Sequence, residues 1–178
     1  MNPYRITARK RTVLSPWVTL VERAVTDPEG RALGAFHSLA QADYVNVLAL
    51  TAEEEIVLVE QYRPASEALT LELPGGLLDP GEEPAACATR ELAEEAGYAA
   101  PAAPLLLGRL SPDPGRLDNK IWCFFAKAVE PIAGWTPEAG VTRLLLPRQA
   151  LASAIERGDF AHAMHVGIVG LALLRGLL

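Results

Sequence analysis

The sequence has 178 residues, of which 50% are hydrophobic, and this is enough to bury the core of one compact domain without outside help. Its 22 acidic and 16 basic residues give a formal net charge of -6, which disfavours binding to nucleic acid or to an anionic membrane, so we expect a small-molecule partner. The two cysteines, Cys87 and Cys123, have neither the number of a disulfide framework nor the spacing of a zinc site, and we expect both to be buried.

The predicted elements begin with strands. Apolar runs rich in valine and leucine, separated by turns, predict strands at residues 17–25, 44–50 and 56–62. Similar runs later in the chain predict strands at 105–110, 121–129 and 141–146. Helical periodicity appears at 84–96, where Pro84 lies at the start and Gly97 at the end, and again at 148–157. This irregular mixture predicts an α+β layered domain, not a regular βαβ repeat.

The two ends of the chain bear on targeting and on membrane insertion. Residues 1–6 have no apolar run behind their charges, so we expect no secretory signal and a cytoplasmic protein. Residues 161–178 are strongly apolar, but they are interrupted by His162, His165 and Arg175 and are short for a membrane span. We expect a buried amphipathic helix there, and no membrane partner.

Three glutamates of the predicted helix 84–96 point to metal chemistry. Glu91, Glu94 and Glu95 are spaced i, i+3, i+4, so they share one helix face. Like charges this close repel one another unless a cation binds them, and Mg²⁺ or Mn²⁺ prefers oxygen ligands. A solvated acidic helix face is the alternative interpretation of the three glutamates alone.

Residues before the helix favour the metal-binding interpretation. Glu82 lies near the helix start, eight residues before Arg90, where it can fold back to hold the arginine. Gly75, Gly76 and Gly81 allow tight backbone geometry, and an exposed carbonyl in such a loop can add a metal ligand.

The same segment resembles the Nudix box. Gly76, Glu82, Arg90-Glu91-Leu92, Glu94-Glu95 and Gly97-Tyr98 match every defined position of that motif, with Tyr98 as a mild variant. The resemblance implies a Nudix-type α/β/α sandwich with a mixed sheet. It also implies that Glu91 and Glu95 ligate Mg²⁺ ions, or Mn²⁺ as a substitute, assisted by Glu94 and the Gly75 carbonyl. Glu94 and Glu95 would serve catalysis, and Glu82 would pair with Arg90 as a structural brace.

Further matches resemble the ADP-ribose pyrophosphatase branch of this family. Arg63, in the run before the box, corresponds to a residue that would grip the substrate phosphates. Pro114 falls sixteen residues after Tyr98, where ADP-ribose-cleaving members carry a marker proline, and Gly115 follows it. The loop 111–120 would then lie over the active site. The glutamate often assigned as base in this loop is not evident, and Asp118 stands nearby as a candidate.

The N-terminal segment resembles the arm by which ADP-sugar enzymes reach into a partner subunit. There an aromatic residue matching Trp17 would stack on adenine, with Phe36 on the opposite face; a packing role is the alternative for the tryptophan. We therefore expect an antiparallel β arm over residues 1–40 that forms a homodimer, followed by a Nudix domain over 41–178.

Several alternatives remain. The favoured substrate is ADP-ribose, cleaved to AMP and ribose 5-phosphate, but the box recognises only the diphosphate, so GDP-mannose or ADP-glucose are alternatives. A non-catalytic Nudix ligand-binding sensor is a further alternative, which the complete set of box glutamates disfavours. Packing or surface roles are assigned to His37, His162, His165, Trp122 and Trp135.

Overall fold

A computed structural model describes residues 3–178, which cluster into two units. The first contains the described residues up to Asp43 together with Ser111–Lys120, and the second contains Tyr44–Leu110 and Ile121–Leu178. Met1 and Asn2, part of the segment in which no secretory signal is predicted, lie outside the described residues.

The second unit is built on a seven-stranded sheet. Its main path runs β10 (Val141–Pro147), β5 (Glu55–Arg63), β4 (Tyr44–Thr51), β9 (Ile121–Pro131) and β7 (Tyr98–Ala99). Two more strands pair off this path: β6 (Ala68–Glu72) with β5, and β8 (Leu105–Leu110) with β9. The sheet is mixed because β4 and β9 are parallel while the other pairs are antiparallel.

Helices cover both faces of this sheet because the central strands are apolar on both sides. Val45 and Val47 of β4 pack in a core with the helix α1 (Pro84–Ala96). Leu48 and Leu50 of the same strand belong to a second core with two further helices, α2 (Leu151–Arg157) and α3 (Ala163–Leu174). The result is an α/β/α sandwich, which confirms the predicted fold class.

The first unit contains the predicted N-terminal antiparallel β arm, but with more strands than the sequence indicated. Its sheet is ordered β1 (Arg5–Ser15), β2 (Val18–Thr26) and β3 (Ala32–Ala40), all antiparallel. Only β2 had been predicted, because β1 is exposed along nearly its whole length and has no apolar face to show. The segment Ser111–Lys120 attaches to the end of β3, where the Leu39 N–H donates to the Arg116 carbonyl at 2.7 Å.

Two predicted helices need correction. The stretch 148–157 begins as a short 3₁₀ turn over Arg148–Ala150 before α2 starts, because Pro147 holds the preceding backbone extended. The C-terminal helix is shorter than predicted and is not amphipathic: it carries no charged residue and ends near Leu174. Within residues 3–178, no helix is both long and apolar enough to cross a membrane. Cys87 and Cys123 are both buried, as predicted, and both are free thiols.

Candidate active site

Helix α1 is held in place at both ends and along one face. Pro84 occupies its first turn, and Gly97 ends it in the left-handed conformation, at a φ of 65°. Cys87, Ala88 and Leu92 are fully buried against the sheet. Because α1 is fixed in this way, the direction of the glutamates on its remaining faces is fixed as well.

Glu82 and Arg90 form the ion pair that the spacing predicted. The Arg90 Nε and Nη2 atoms donate to the two Glu82 carboxylate oxygens at 2.9 and 3.0 Å. The Asp79 backbone N–H also donates to Glu82, at 3.1 Å. The Arg90 hydrogen bonds, followed by the Asp79 N–H, lower the pKa of Glu82 to about 2. This carboxylate is therefore satisfied within the chain, and the bidentate pair joins the loop before α1 to the helix.

Glu91 and Glu95 have the opposite environment. Both are buried, with 8% and 9% of their surfaces exposed. Burial raises the pKa of Glu91. The 2.7 Å hydrogen bond from Arg90 Nη1 acts to lower this pKa but does not offset the effect of burial. Burial also raises the pKa of Glu95 to about 7, and the charge of Glu91 contributes in the same direction. Two buried carboxylates with this little compensation are costly in their charged forms, and a bound cation would remove that cost.

The turn formed by Gly75 and Gly76 encloses the two carboxylates. The Gly75 N–H donates to Glu95 at 2.9 Å. A Cβ atom on Gly76 would lie 2.3 Å from the Glu91 carboxylate, so a side chain there would displace Glu91 from its present position. The Pro74 and Gly76 carbonyls accept from Val47 and Val45, whereas the Gly75 carbonyl accepts no hydrogen bond among the described residues. A carbonyl of this kind is suited to a cation.

Arg63 and Glu72 meet beside this turn. Arg63 donates through Nε and Nη2 to the Glu72 oxygens at 2.8 and 2.7 Å, and Thr70 adds a 2.6 Å hydrogen bond. Burial acts to raise the pKa of Glu72, but these hydrogen bonds outweigh it and lower the pKa. The charge of Arg63 also counteracts the rise in the Glu95 pKa, so the guanidinium lies within electrostatic reach of that carboxylate.

The chain is similar to proteins of known family. The profile of the NUDIX domain matches residues 40–162. The chain belongs to the NUDIX family. Members of this family generally need a divalent metal ion. The segment 76–98, which resembles the Nudix box, lies within this match and contains the buried carboxylates Glu91 and Glu95.

Individual relatives of this Nudix chain match parts of it. The methanol dehydrogenase activator of Bacillus methanolicus is 41% identical over 85 residues, which cover 48% of this chain and 45% of that protein. The ADP-ribose pyrophosphatase of Bacillus subtilis is 50% identical over 56 residues, which cover 32% of this chain and 30% of that protein. The matched segments thus span less than half of either relative.

A solved structure matches nearly the whole Nudix chain. The crystal structure of an ADP compounds hydrolase superposes with a TM-score of 0.83, covering 98% of this chain and 97% of that one. At 21% sequence identity, the likeness concerns the fold.

Glu94 differs from the other two glutamates of the Nudix helix. Its side chain is 57% exposed, and it accepts from Arg90 Nη1 at 2.9 Å. The same guanidinium thus contacts Glu82, Glu91 and Glu94. The metal-binding and catalytic roles predicted for Glu94 stay predictions.

One acidic residue near the site was not singled out from the sequence. Glu138 lies in the loop between β9 and β10 and lines a cavity of about 570 Å³ together with Glu94. Its charge adds to the raised pKa of Glu95. No cation lies within ion-pair distance of Glu138 in the part of the chain that the structure describes. A lone glutamate in a proline- and glycine-containing loop has no spacing that would have identified it.

The remaining predicted site residues lie in the first unit. A cavity of about 400 Å³ brings four of them together: Phe36, Pro114, Gly115 and Asp118. Asp118 is already paired, accepting from Arg23 at 3.1 Å. Trp17 does not line this cavity; it lies in the turn between β1 and β2 and is 69% exposed. The substrate contacts predicted for these residues stay predictions.

The three histidines have contacts of other kinds. His37 pairs with Glu22 at 3.2 Å. The rings of His162 and His165 stack at 3.8 Å, and His165 Nδ1 accepts from the Leu73 N–H at 3.1 Å. Burial lowers the pKa of His165 to about 3, so this ring is neutral. These contacts favour packing roles for the stacked pair.

Proposed function

We propose that this chain is a metal-dependent hydrolase that cleaves the diphosphate of ADP-ribose into AMP and ribose 5-phosphate. The observation that carries the proposal is the buried pair Glu91 and Glu95 beside the Gly75–Gly76 turn, on the helix of a Nudix box. The substrate follows from the relatives, among them the ADP-ribose pyrophosphatases of Bacillus subtilis and Saccharomyces cerevisiae.

The donor set fits Mg²⁺. Glu91 and Glu95 supply hard carboxylate oxygens whose buried charges lack full compensation, and Gly75 supplies a carbonyl with no other partner among residues 3–178. Glu94 adds a further carboxylate on the exposed side of α1. When bound, Mg²⁺, or Mn²⁺ in its place, neutralises diphosphate charge and lowers the pKa of an attacking water.

Arg90 and Arg63 have different roles in the proposed site. Arg90 is committed to the glutamates of the box and fixes their positions. Arg63 uses Nε and Nη2 to hold Glu72, and its Nη1 is left to donate to a phosphate oxygen. Glu72 keeps the guanidinium plane fixed, because its own side chain is only 3% exposed. Arg63 is thus oriented in advance for an anionic substrate.

The proton of the attacking water needs an acceptor, and two acidic residues are candidates. Asp118, predicted from the sequence, already forms an ion pair with Arg23. Among residues 3–178, Glu138 has no such partner, and it shares a cavity with Glu94. A carboxylate held by a cation is a weaker proton acceptor than one without such a partner, so we favour Glu138.

The base and ribose contacts are proposed for the first unit. Trp17 and Phe36 expose 69% and 54% of their surfaces, and we propose that they stack on adenine. Pro114 and Gly115, in the cavity with Phe36, are proposed to contact the substrate.

We propose a cytoplasmic homodimer in which the first unit contacts a second copy. In this unit Val21 is fully buried, but several large apolar side chains are exposed, which a partner surface would cover. They are Tyr4, Ile6, Val13, Leu14, Trp17, Leu33 and Phe36. Sedimentation velocity tests this proposal, and a fully active monomer would contradict it.

Hydrolysis of a panel of nucleoside diphosphate sugars tests the substrate. With Mg²⁺ present, kcat/KM for ADP-ribose should be the highest or within about tenfold of the highest among ADP-ribose, ADP-glucose and GDP-mannose. A clear preference for another sugar would correct the substrate but leave the hydrolase assignment in place. Absence of hydrolysis of every diphosphate, with normal ligand binding, would favour the sensor alternative.

The Trp17→Ala variant tests the adenine contact within the same panel. Stacking is present in both the ground state and the transition state, so its loss should raise KM several-fold and leave kcat nearly unchanged. A fall in kcat with unchanged KM would contradict this role.

A further inference from the structure

The loop between β9 and β10 is attached to the last turn of α1. Within this loop, Trp135 donates its indole N–H to the Glu94 carbonyl at 3.0 Å. The Ile132 N–H donates to the Gly97 carbonyl at 2.8 Å. The last carbonyls of a helix have no partner within the helix, so these contacts supply hydrogen bonds that the final turn otherwise lacks.

Arg143, on β10, holds the same turn from a second direction. Its Nη1 atom donates to the Ala96 carbonyl at 3.2 Å. The guanidinium carbon lies 4.8 Å from the centre of the Trp135 ring and 5.3 Å from that of Tyr98. A cation at a helix C-terminus is also favoured by the helix dipole. Arg143 therefore contacts the helix end and the indole that caps it.

Gly97 makes this arrangement possible. A Cβ atom at this position would lie 2.3 Å from the Trp135 ring, closer than real side chains approach. Gly97 is also in the left-handed region, at a φ of 65°. The glycine that ends α1 thus lets the indole lie directly against the helix terminus.

The turn held in this way carries two of the box glutamates. The carbonyl that receives the indole N–H belongs to Glu94, and the next residue is Glu95. The loop that supplies the indole also carries Glu138, three residues after Trp135. The contacts therefore join the proposed metal ligands on α1 to the proposed base in the loop.

We propose that Trp135 and Arg143 are positioning residues that fix the last turn of α1, and with it Glu95, relative to the loop bearing Glu138. The inference rests on the proposed function, because Glu95 and Glu138 matter as a pair only if the site binds a metal and activates a water. Neither positioning residue needs to touch the substrate, and each acts through the helix end.

The Trp135→Phe and Arg143→Gln variants test this role. Trp135→Phe keeps most of the aromatic surface over Gly97 but loses the indole N–H. The second variant removes the guanidinium from the helix terminus. The matched control is Trp122→Phe, because Trp122 also has an arginine, Arg109, over its ring at 4.8 Å but lies on β9.

Two measurements separate positioning from simple packing. In both test variants, kcat for ADP-ribose should fall about tenfold while KM stays within about twofold, because misplacement of Glu95 and Glu138 affects the chemical step more than binding. Mn²⁺ titration of each protein without substrate should show several-fold weaker binding in the test variants. Trp122→Phe should match the wild type in both measurements.

Other outcomes overturn the inference. If Trp135→Phe and Arg143→Gln fold with wild-type kcat and Mn²⁺ affinity, or if Trp122→Phe shows equal losses, the contacts serve packing alone. If the wild type hydrolyses no diphosphate, the proposed function fails, but the Mn²⁺ titration still decides whether the two residues position Glu95.

Discussion

Glu82 and Glu95 belong to the same short segment, yet their surroundings shift their pKa values in opposite directions. Glu82 receives two hydrogen bonds from Arg90 and one from the Asp79 N–H, and its pKa is lowered to about 2. Glu95 is buried, receives a single backbone N–H from Gly75 and lies near the charge of Glu91, and its pKa is raised to about 7.

The difference separates a carboxylate with a structural role, Glu82, from one that is suited to bind a metal ion, Glu95. A carboxylate that is satisfied by its own cation has nothing to gain from a metal ion, and it stabilises the loop that it joins to the helix. A buried carboxylate with incomplete compensation is costly when charged, and it becomes favourable only when a cation binds. Variants of Glu82 and Glu95 test whether the two carboxylates differ in this way.

The largest effect is expected from Glu95→Gln, which keeps the shape of the side chain and removes its charge. Hydrolysis should fall by at least about 100-fold while the protein stays folded, because a proposed metal ligand is lost. Steady-state kinetics with ADP-ribose measure this. Glu83→Gln is the control, since Glu83 is exposed beside the N-terminus of α1 and should stay within about twofold of the wild type. Activity of Glu95→Gln close to that control would remove Glu95 from the site.

The next effect concerns the stability of the metal-free protein as a function of pH. The pKa of Glu95 rises from 4.5 to about 7 on folding, so between these values the folded state binds more protons than the unfolded state. Its contribution to stability therefore falls as pH rises through this window, by up to about 3 kcal/mol, and is constant above it. Denaturant unfolding with chelator at pH 4.5 to 8 measures this. Glu95→Gln should lack this part of the decline, and identical profiles for the two proteins would contradict the raised pKa.

The smallest effect is expected from Glu82→Gln. Loss of the charged pair should lower the melting temperature by a few degrees, because Arg90 no longer joins the loop to the helix. Since Glu82 is not a proposed ligand, kcat should fall by less than about tenfold, far less than in Glu95→Gln. Thermal unfolding and kinetics on the same samples make the comparison. A larger loss of activity than in Glu95→Gln would reverse the roles of the two carboxylates.

Local sequence signals predicted the parts of the molecule that depend on local chemistry. The bounds of α1 were predicted to the residue, because proline at its start and glycine after its end both have clear conformational preferences. The central strands were also predicted, since most of their residues are buried on both faces and their sequences are largely apolar. The box residues followed from fixed spacing along one helix.

The missed features depend on contacts between distant parts of the chain. β1 has no buried face, so its sequence shows no alternation, and β6 has only five residues. Glu138 and Trp135 lie in an irregular loop whose position relative to α1 is set by tertiary hydrogen bonds. The partner of Arg63, Glu72, lies nine residues away on a neighbouring strand that was not predicted.

The central claim is that the buried pair on α1 binds a divalent cation, and calorimetric titration of Mn²⁺ into the protein without substrate tests it most directly. The wild type and Glu83→Gln should bind with the same affinity. Glu95→Gln should bind at least about tenfold more weakly, and Glu82→Gln should stay close to the wild type. Equal affinity in the wild type and Glu95→Gln, or no binding by the wild type at all, would contradict the account.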